Sequence, residues 1–190
     1  MPGPLFRQTE DGAVSLRPRE REDNEFYHRN VNDPDVRRLL RNTQPKNLKA
    51  IDDEFEKYSG NDGENEGYGF VICAEQMNDE PTPVGSIGIW NVDHVNASAW
   101  MGAWIDPEFH GEEFAPRGAA LVVEFGFAEL NLNRVQTAVF EPNRPSQRVM
   151  EKLGFEREGV QRQAQHIDGE FYDSYLYGML REEWDGEEWL

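Results

Sequence analysis

Cysteine and lysine are scarce in this chain of 190 residues, and long apolar runs are missing. The one cysteine, Cys73, has no partner for an internal disulfide, which fits a reducing compartment such as the cytoplasm. No apolar run reaches the roughly 18 residues that a transmembrane helix needs, so we expect no membrane partner. Residues 1–12 also lack the charged-then-apolar pattern of a signal peptide. We therefore expect a cytoplasmic protein.

Acidic residues dominate the charge of the chain. The sequence has 37 Asp and Glu against 19 Lys and Arg, a formal net charge of −18, and only four of the basic residues are Lys. The acids are spread along the chain, a pattern typical of halophilic proteins that work in molar salt. No basic stripe exists to neutralise nucleic-acid phosphates, so we expect no nucleic-acid partner.

The order of strand and helix signals predicts an α+β fold in one main domain. We expect a flexible N-terminus at 1–12, the domain at 13–184 and an acidic C-terminal tail at 185–190. Turn residues divide the domain into short alternating segments. Strands are predicted at 13–18, 68–74, 83–92, 96–105, 134–140, 155–166 and 170–180, and helices at 116–130, 145–153, 51–58 and on both sides of an Asn-Asp-Pro break at 32–34, with a loop at 59–67 and a turn at 77–82.

The stretch 105–155 carries the strongest functional signal. A short Gly-containing loop at 106–115 runs directly into an apolar helix that we expect to open on Pro116, a residue suited to the first helical position. A loop that feeds a helix N-terminus gathers unpaired N–H groups and the positive end of the helix dipole. This pattern predicts an anion site, most often one for phosphate or pyrophosphate.

The same stretch resembles the acetyl-CoA-binding core of the GNAT N-acetyltransferase superfamily. The supporting segments read DPEFHGEEFAPRGAALVVEFGFAELNLNRV, EPNRPSQRVMEKLGFEREG, DGEFYDSYLYGMLREEW and the early VSLRPREREDNEFYHRNVNDPDVRRLL. Within the superfamily, the similarity is to the ribosomal-protein N-terminal (alanine/serine) acetyltransferases. The resemblance implies a GNAT-like, mostly antiparallel, splayed sheet with helices on both faces. It also implies acetyl-CoA as co-substrate, with a primary amine as acceptor.

The family's pyrophosphate loop is altered here. His110 stands where the family has its basic lead residue, and Glu113 stands where the family has its middle Gly. Only the final small residue is kept, as Ala115. Backbone N–H groups hold most of the phosphate in such loops, so the resemblance still implies binding here. The expected cofactor-binding residues are the family's CoA-arm residue Asn143, an oxyanion N–H at Trp104 or Ile105, and the loop positions His110, Gly111, Glu112, Glu113, Phe114 and Ala115.

The resemblance also assigns catalytic roles. Ser146, in the family's Asn-x-x-Ser pattern, would protonate the leaving thiolate; the alternative is that it only supports the first turn of a helix. The usual Glu base corresponds to Gln165, which cannot accept a proton as a base. His166, Asp173 or Glu170 can serve through water, and His166 is the natural titrator. No His and acid pattern has metal-ligand spacing, so we expect no metal.

Two functions follow from these residues. The first is acetyl-CoA-dependent transfer of an acetyl group to a protein N-terminus, such as a ribosomal one, or to a small amine. The second is a GNAT-fold binding protein without activity, because Glu112, Glu113 and Gln165 depart from the family pattern. Dimerisation is common in similar proteins, so a homodimer remains an open alternative.

The charge of the chain predicts a salt-dependent stability. Repulsion among the acids destabilises the compact state in dilute buffer, and raising KCl from about 0.1 M to about 1 M shortens the Debye length from about 10 Å to about 3 Å. The thermal unfolding midpoint is therefore expected to rise with KCl, as followed by circular dichroism. Sucrose without salt serves as the control, and a midpoint unchanged or lowered by KCl would contradict the prediction.

Overall fold

The computed structural model describes residues 4–40, 44–59, 67–75, 80–186 and 188–190. The predicted loop at 59–67 lies largely outside this part, as does the first half of the predicted turn at 77–82. The strands are β1 (Arg7–Gln8), β2 (Val14–Pro18), β3 (Gly67–Ala74), β4 (Thr82–Asp93), β5 (Ser98–Ile105), β6 (Arg134–Phe140), β7 (Glu156–Ile167) and β8 (Glu170–Leu180). The helices are α1 (Asn24–Asn32), α2 (Pro34–Leu39), α3 (Leu48–Ser59), α4 (Phe114–Ala128) and α5 (Arg144–Lys152).

The described strands form one sheet in the order β1-β2-β3-β4-β5-β6-β8-β7. Every neighbouring pair is antiparallel except β5 and β6, which are parallel. A parallel connection needs a crossover, and α4 supplies it. The fold is therefore the mixed, mostly antiparallel α+β arrangement that the sequence predicted.

The sheet carries an apolar cluster on each face, because alternate residues of a strand point to opposite sides. Phe70 and Ile72 of β3 join the larger cluster, which includes the buried side of α4. Val71 and Cys73 lie between them in sequence and pack instead with Tyr27, Val31 and Ile51 from α1 and α3. Burial raises the pKa of the Cys73 thiol to about 11, so this cysteine is a protonated core residue.

Local sequence explains where the first helices divide. The Asp33 side chain accepts hydrogen bonds from the Asp35 and Val36 N–H groups, and Pro34 occupies the first position of α2. Pro restricts the residue before it to extended backbone, which ends α1 at Asn32. The predicted break at 32–34 is confirmed.

Helix α4 begins two residues earlier than predicted. Phe114 is its first residue, and Pro116 takes the third position instead of the first. Pro is accepted there because the N–H groups of the first turn have no helical partner. The helix also ends at Ala128 instead of residue 130.

Helix α5 ends in a Schellman motif. Gly154 adopts a φ of +83°. The Gly154 N–H donates to the Glu151 carbonyl at 3.1 Å, and the Phe155 N–H donates to the Met150 carbonyl at 2.9 Å. This reversal directs the chain from α5 into β7.

Both chain ends contact the domain. Arg7 and Gln8, in the segment expected to be flexible, pair with Leu16 and Ser15 of β2. At the other end, in the expected acidic tail, Leu190 packs partly buried against the larger cluster, as Trp189 does. The sequence did not predict β1, because a strand of two residues is too short to show a periodic pattern.

Strand β7 is a sheet edge with an irregular middle. Gln161 pairs with Ser174 and Gln165 pairs with Tyr172, so residues 162–164 bulge out of the ladder. Gln163, within the bulge, has a φ of +50°. The predicted hairpin between β7 and β8 turns at Asp168 and Gly169, both with positive φ.

None of the helices in the described part of the chain is long and apolar enough to cross a membrane.

The buried ion pair between Arg17 and Asp23 joins β2 to the start of α1. Two nitrogens of the Arg17 guanidinium donate to the Asp23 carboxylate at 2.8 and 2.6 Å, and each side chain is only 6% exposed. The ion pair therefore depends little on the salt concentration.

Removing one partner of this pair would leave a buried charge. Asp23→Ala is expected to lower the free energy of unfolding by about 3–5 kcal/mol. The control Asp53→Ala removes the exposed ion pair with Lys49 and should cost at most about 0.5 kcal/mol. Urea unfolding measures both, and equal losses would contradict the prediction.

Candidate active site

The sheet opens between β5 and β6. Their parallel pairing is limited to residues 98–100 of β5 and 134–136 of β6. Beyond these pairs, β5 continues to Ile105 and β6 to Phe140 without pairing to each other. The result is a wedge-shaped gap with unpaired backbone on both sides, the splay that the family resemblance implied.

Backbone register decides which residues of β5 face the gap. The Asp106 N–H donates to the Val84 carbonyl at 2.9 Å, so Asp106 directs its backbone toward β4. Successive residues direct their backbone groups to opposite neighbours. Trp104 therefore also faces β4, whereas Ile105 faces the gap, where its carbonyl oxygen lies 3.0 Å from His110 Nε2. Of the two predicted oxyanion donors, the register favours Ile105.

The loop at 106–113 lies at the open end of the gap and leads into α4. Gly111 and Glu113 take left-handed backbone conformations, with φ of +93° and +60°. Glu113 thus adopts the conformation for which Gly is best suited, although it carries a side chain. Its carboxylate is exposed and lies 3.0 Å from Lys152 Nζ on α5. Glu112 is exposed, and Phe114 packs near Phe109 with ring centroids 6.2 Å apart.

The N-terminus of α5 lies after the open end of β6. Asn143 caps this helix, because its Oδ1 accepts the Ser146 N–H at 3.3 Å. Ser146 is half-buried in the first turn. Because β5 and β6 are parallel, their carboxyl ends meet at one edge of the sheet, which brings Ser146 to the same edge as the loop.

Three basic residues form a line on α5. Arg144, Arg148 and Lys152 are four residues apart, so they share one helix face. A shallow cavity of about 350 Å³ is lined by Arg144, Arg148, Gln147 and Glu151. The ion pair of Lys152 with Glu113 connects the end of this basic line to the loop. The sequence analysis missed the line, although the spacing of four residues was visible.

The predicted base candidates His166 and Asp173 lie at different places on the β7–β8 hairpin. His166 is exposed, with its ring 4.8 Å from the Phe171 ring, and Gln165 is buried opposite Tyr172. Both lie toward the β7–β8 turn.

Asp173 lies next to the end of β6. Its carbonyl accepts the Glu141 N–H at 3.0 Å, and the Glu141 carboxylate lies 3.5 Å from the Asp173 N–H. Asp173 is therefore connected to the segment leading to Ser146, whereas the described contacts of His166 are not. Glu141 was not predicted as a site residue, because only the sheet register brings it beside Asp173.

Helix α1 covers the other side of the end of β5. The Trp104 ring lies 5.4 Å from the Phe26 ring and 5.3 Å from the Tyr27 ring. Burial raises the pKa of Tyr27 to about 12, and its hydroxyl donates to Ser86 Oγ at 2.7 Å. Tyr27 therefore stays protonated and packs in the smaller apolar cluster between α1 and the sheet.

Asp106 connects α1 to the loop. Its buried carboxylate accepts hydrogen bonds from Arg29 at 2.6 Å, Asn30 at 3.0 Å and the Glu108 N–H at 3.1 Å. Burial acts to raise the pKa of Asp106, but the hydrogen bonds from Asn30 and Arg29 outweigh it and keep that pKa below its ordinary value. The carboxylate is therefore ionised at neutral pH.

A mostly antiparallel sheet that opens between two parallel strands, with a loop and a helix N-terminus at the opening, is the architecture of the CoA-dependent N-acetyltransferases. The family model described as "Acetyltransferase (GNAT) domain" matches residues 14–156, and the chain belongs to this family. The membership of the GNAT superfamily that the sequence indicated is thereby confirmed, as is the enzyme class, an acyltransferase of the GNAT type.

Two sequence relatives are informative. YdaF of Bacillus subtilis, whose name marks it as a candidate ribosomal N-acetyltransferase, is 36% identical over 103 residues, which span 54% of this chain and 56% of YdaF. The spermidine N(1)-acetyltransferase of Escherichia coli K12 is 28% identical over 159 residues, or 84% of this chain and 81% of that protein. The match to YdaF thus covers only about half of its length.

A solved structure shares the fold. The spermidine N-acetyltransferase of Vibrio cholerae, determined in complex with CoA and spermine, has a TM-score of 0.80 at 22% identity. The match covers 90% of this chain and 97% of that one. At this identity the likeness concerns the fold alone.

The left-handed conformation of Glu113 generates a prediction about loop stability. Glu113→Gly removes an unfavourable backbone conformation worth roughly 1 kcal/mol and an exposed ion pair worth less than ~1 kcal/mol. The free energy of unfolding should stay unchanged or rise by up to ~1 kcal/mol. The matched change Glu112→Gly removes the same charge where φ is not positive, and should cost about 0.4–1 kcal/mol. Urea unfolding tests both, and a larger loss for Glu113→Gly would contradict the loop geometry.

Proposed function

We propose that this protein transfers an acetyl group from acetyl-CoA to a primary amine by direct attack in a ternary complex. The observation that carries the proposal is the gap between β5 and β6, which ends at the loop and the N-terminus of α4. In this proposal residues 13–184 act as the catalytic domain.

The gap supports binding of the extended pantetheine arm of the cofactor. Ala103 and Ile105 direct backbone groups into the gap, since they alternate with Trp104. An extended ligand can pair with such unpaired backbone as an added strand does. The acyl group would then lie near Ile105, whose N–H would stabilise the oxyanion of the tetrahedral intermediate.

Charge near the loop supports binding of the cofactor phosphates. The N–H groups that open α4 face the loop, and a helix N-terminus favours anions. The family's basic lead residue is His110 here, and its Nε2 is already within hydrogen-bond distance of the Ile105 carbonyl. Arg144, Arg148 and Lys152 would supply the missing positive charge, with Lys152 also neutralising Glu113.

The chemistry requires one nucleophile and two proton transfers. The nitrogen lone pair of a neutral amine attacks the thioester carbon, and the tetrahedral intermediate collapses as the C–S bond breaks. The Ser146 hydroxyl gives a proton to the thiolate and regains one from water. The proton of the attacking amine leaves through water to a carboxylate, for which Asp173 or Glu141 is better situated than His166 or Glu170.

Two acceptor classes fit the proposal. The name of YdaF favours a protein N-terminus, and the names of the spermidine acetyltransferases favour a small polyamine. An acidic surface attracts either cation at low ionic strength. The alternative remains a GNAT-fold binding protein without activity, because Gln165 replaces the expected base.

The deciding experiment is calorimetric titration of acetyl-CoA into the protein in about 2–3 M KCl, which screens its charge. A Kd of about 1–100 µM is expected, within the KM range typical of enzymes. Turnover is then measured with spermidine and with peptides that begin with Ser or Ala. Cofactor binding without turnover of any amine would favour the inactive binding protein, and a folded protein that binds no acetyl-CoA would exclude the enzyme.

Ser146→Ala tests the assignment of the thiolate acid. The variant keeps the backbone N–H that Asn143 accepts, so the cap of α5 stays intact. With the most active acceptor, kcat should fall about 100-fold, a contribution typical of general acid catalysis, while the KM for acetyl-CoA stays within about twofold. The control Ser98→Ala, at the closed end of the gap, should change neither constant. A Ser146→Ala variant with unchanged kcat would limit Ser146 to a structural role.

A further inference from the structure

Asp106 contacts both α1 and the loop with a single side chain. It follows β5 directly, at the point where the strand gives way to the loop. The carboxylate is 4% exposed, so its partners lie around it rather than in solvent. A buried carboxylate at a strand end is expensive unless its oxygens are satisfied, and here both oxygens accept hydrogen bonds.

The two oxygens of Asp106 have different partners. Oδ1 accepts the Glu108 N–H at 3.1 Å, within the loop. Oδ2 accepts from Arg29 at 2.6 Å and from Asn30 at 3.0 Å, both on α1. Hydrogen bonds to an ionised group are among the stronger ones in proteins. One carboxylate therefore joins the loop to α1.

Other contacts also join α1 to the end of β5. Phe26 and Tyr27 pack on the Trp104 ring, two residues before Asp106. The Asp106 N–H is anchored on Val84 of β4 at 2.9 Å, so the main chain at Asp106 is fixed to the sheet.

We infer that Asp106 is a positioning residue that couples cofactor binding at the loop to the order of α1. The inference rests on the proposed function, because it requires CoA to bind at the loop. Binding of the phosphates fixes the loop, which fixes Asp106 Oδ1, and Oδ2 then holds Arg29 and Asn30. Helix α1 is thereby ordered after the cofactor is bound.

Hydrogen–deuterium exchange with CoA as the probe tests the coupling without a known acceptor. In the wild type, saturating CoA should slow exchange in the loop at 107–113, and in α1 by about five- to tenfold, a size typical of coupled sites. In Asp106→Asn, the loop should still be protected at saturating CoA, while protection of α1 falls to within about twofold of the free protein. The loss arises because a neutral amide holds Arg29 less strongly than a carboxylate does.

Two further variants separate coupling from general damage. Arg29→Met removes one partner whose side chain is 64% exposed, so it should reduce the protection of α1 without unfolding the protein. If Asp106→Asn does not fold, Arg29→Met alone tests the coupling. The matched control is Asp93→Asn, because Asp93 also accepts backbone N–H groups in a turn, from Val95 at 2.9 Å and Asn96 at 2.8 Å. This variant should retain the protection of both segments.

The outcomes are distinct. Loop protection without protection of α1 in the wild type would overturn the coupling alone. Equal protection of α1 in the wild type, Asp106→Asn and Arg29→Met would do the same. A folded wild type whose loop CoA does not protect would overturn the proposed function and the coupling together.

Discussion

The early end of the parallel pairing between β5 and β6 is the constraint on which the rest of the structure depends. Three residue pairs hold the two strands together, after which each strand follows its own antiparallel neighbour. Because the pair is parallel, a crossover helix must connect the strands, and the start of α4 comes to the open end of the gap. The same topology brings the N-terminus of α5 to that edge. One pairing arrangement thus creates the gap and brings two helix N-termini to its open end.

Local charge in this protein opposes its global charge. The chain has nearly twice as many acidic as basic residues, yet Arg144, Arg148 and Lys152 share one face of α5, and Lys152 contacts the loop. The loop itself carries two carboxylates, of which Glu113 is paired with Lys152. A strongly acidic surface and an anion-binding site are therefore compatible, provided that the cations are concentrated at the edge where the anion would lie.

Much of the fold followed from local sequence, whereas the site depended on long-range register. The Asp33-Pro34 break and the Gly154 helix end were predictable because each rests on a conformational preference of one or two residues. The location of the loop was predictable from its Gly and the apolar helix after it. The choice of Ile105 over Trp104 was not, because it depends on which neighbour each backbone group faces. The contact of Asp106 with Asn30 joins residues 76 positions apart, and no local pattern indicates it.

The bulge in β7 bears on how copies of the protein stay separate. An edge strand of 12 residues offers unpaired backbone to any extended chain nearby. In dilute solution the acidic side chains of two copies repel each other and keep the copies apart. Concentrated salt screens this repulsion. The bulge at 162–164 divides the edge into two short runs that cannot be joined by one straight partner strand. In brine, protection against sheet-to-sheet aggregation would therefore come from backbone shape, which salt does not screen.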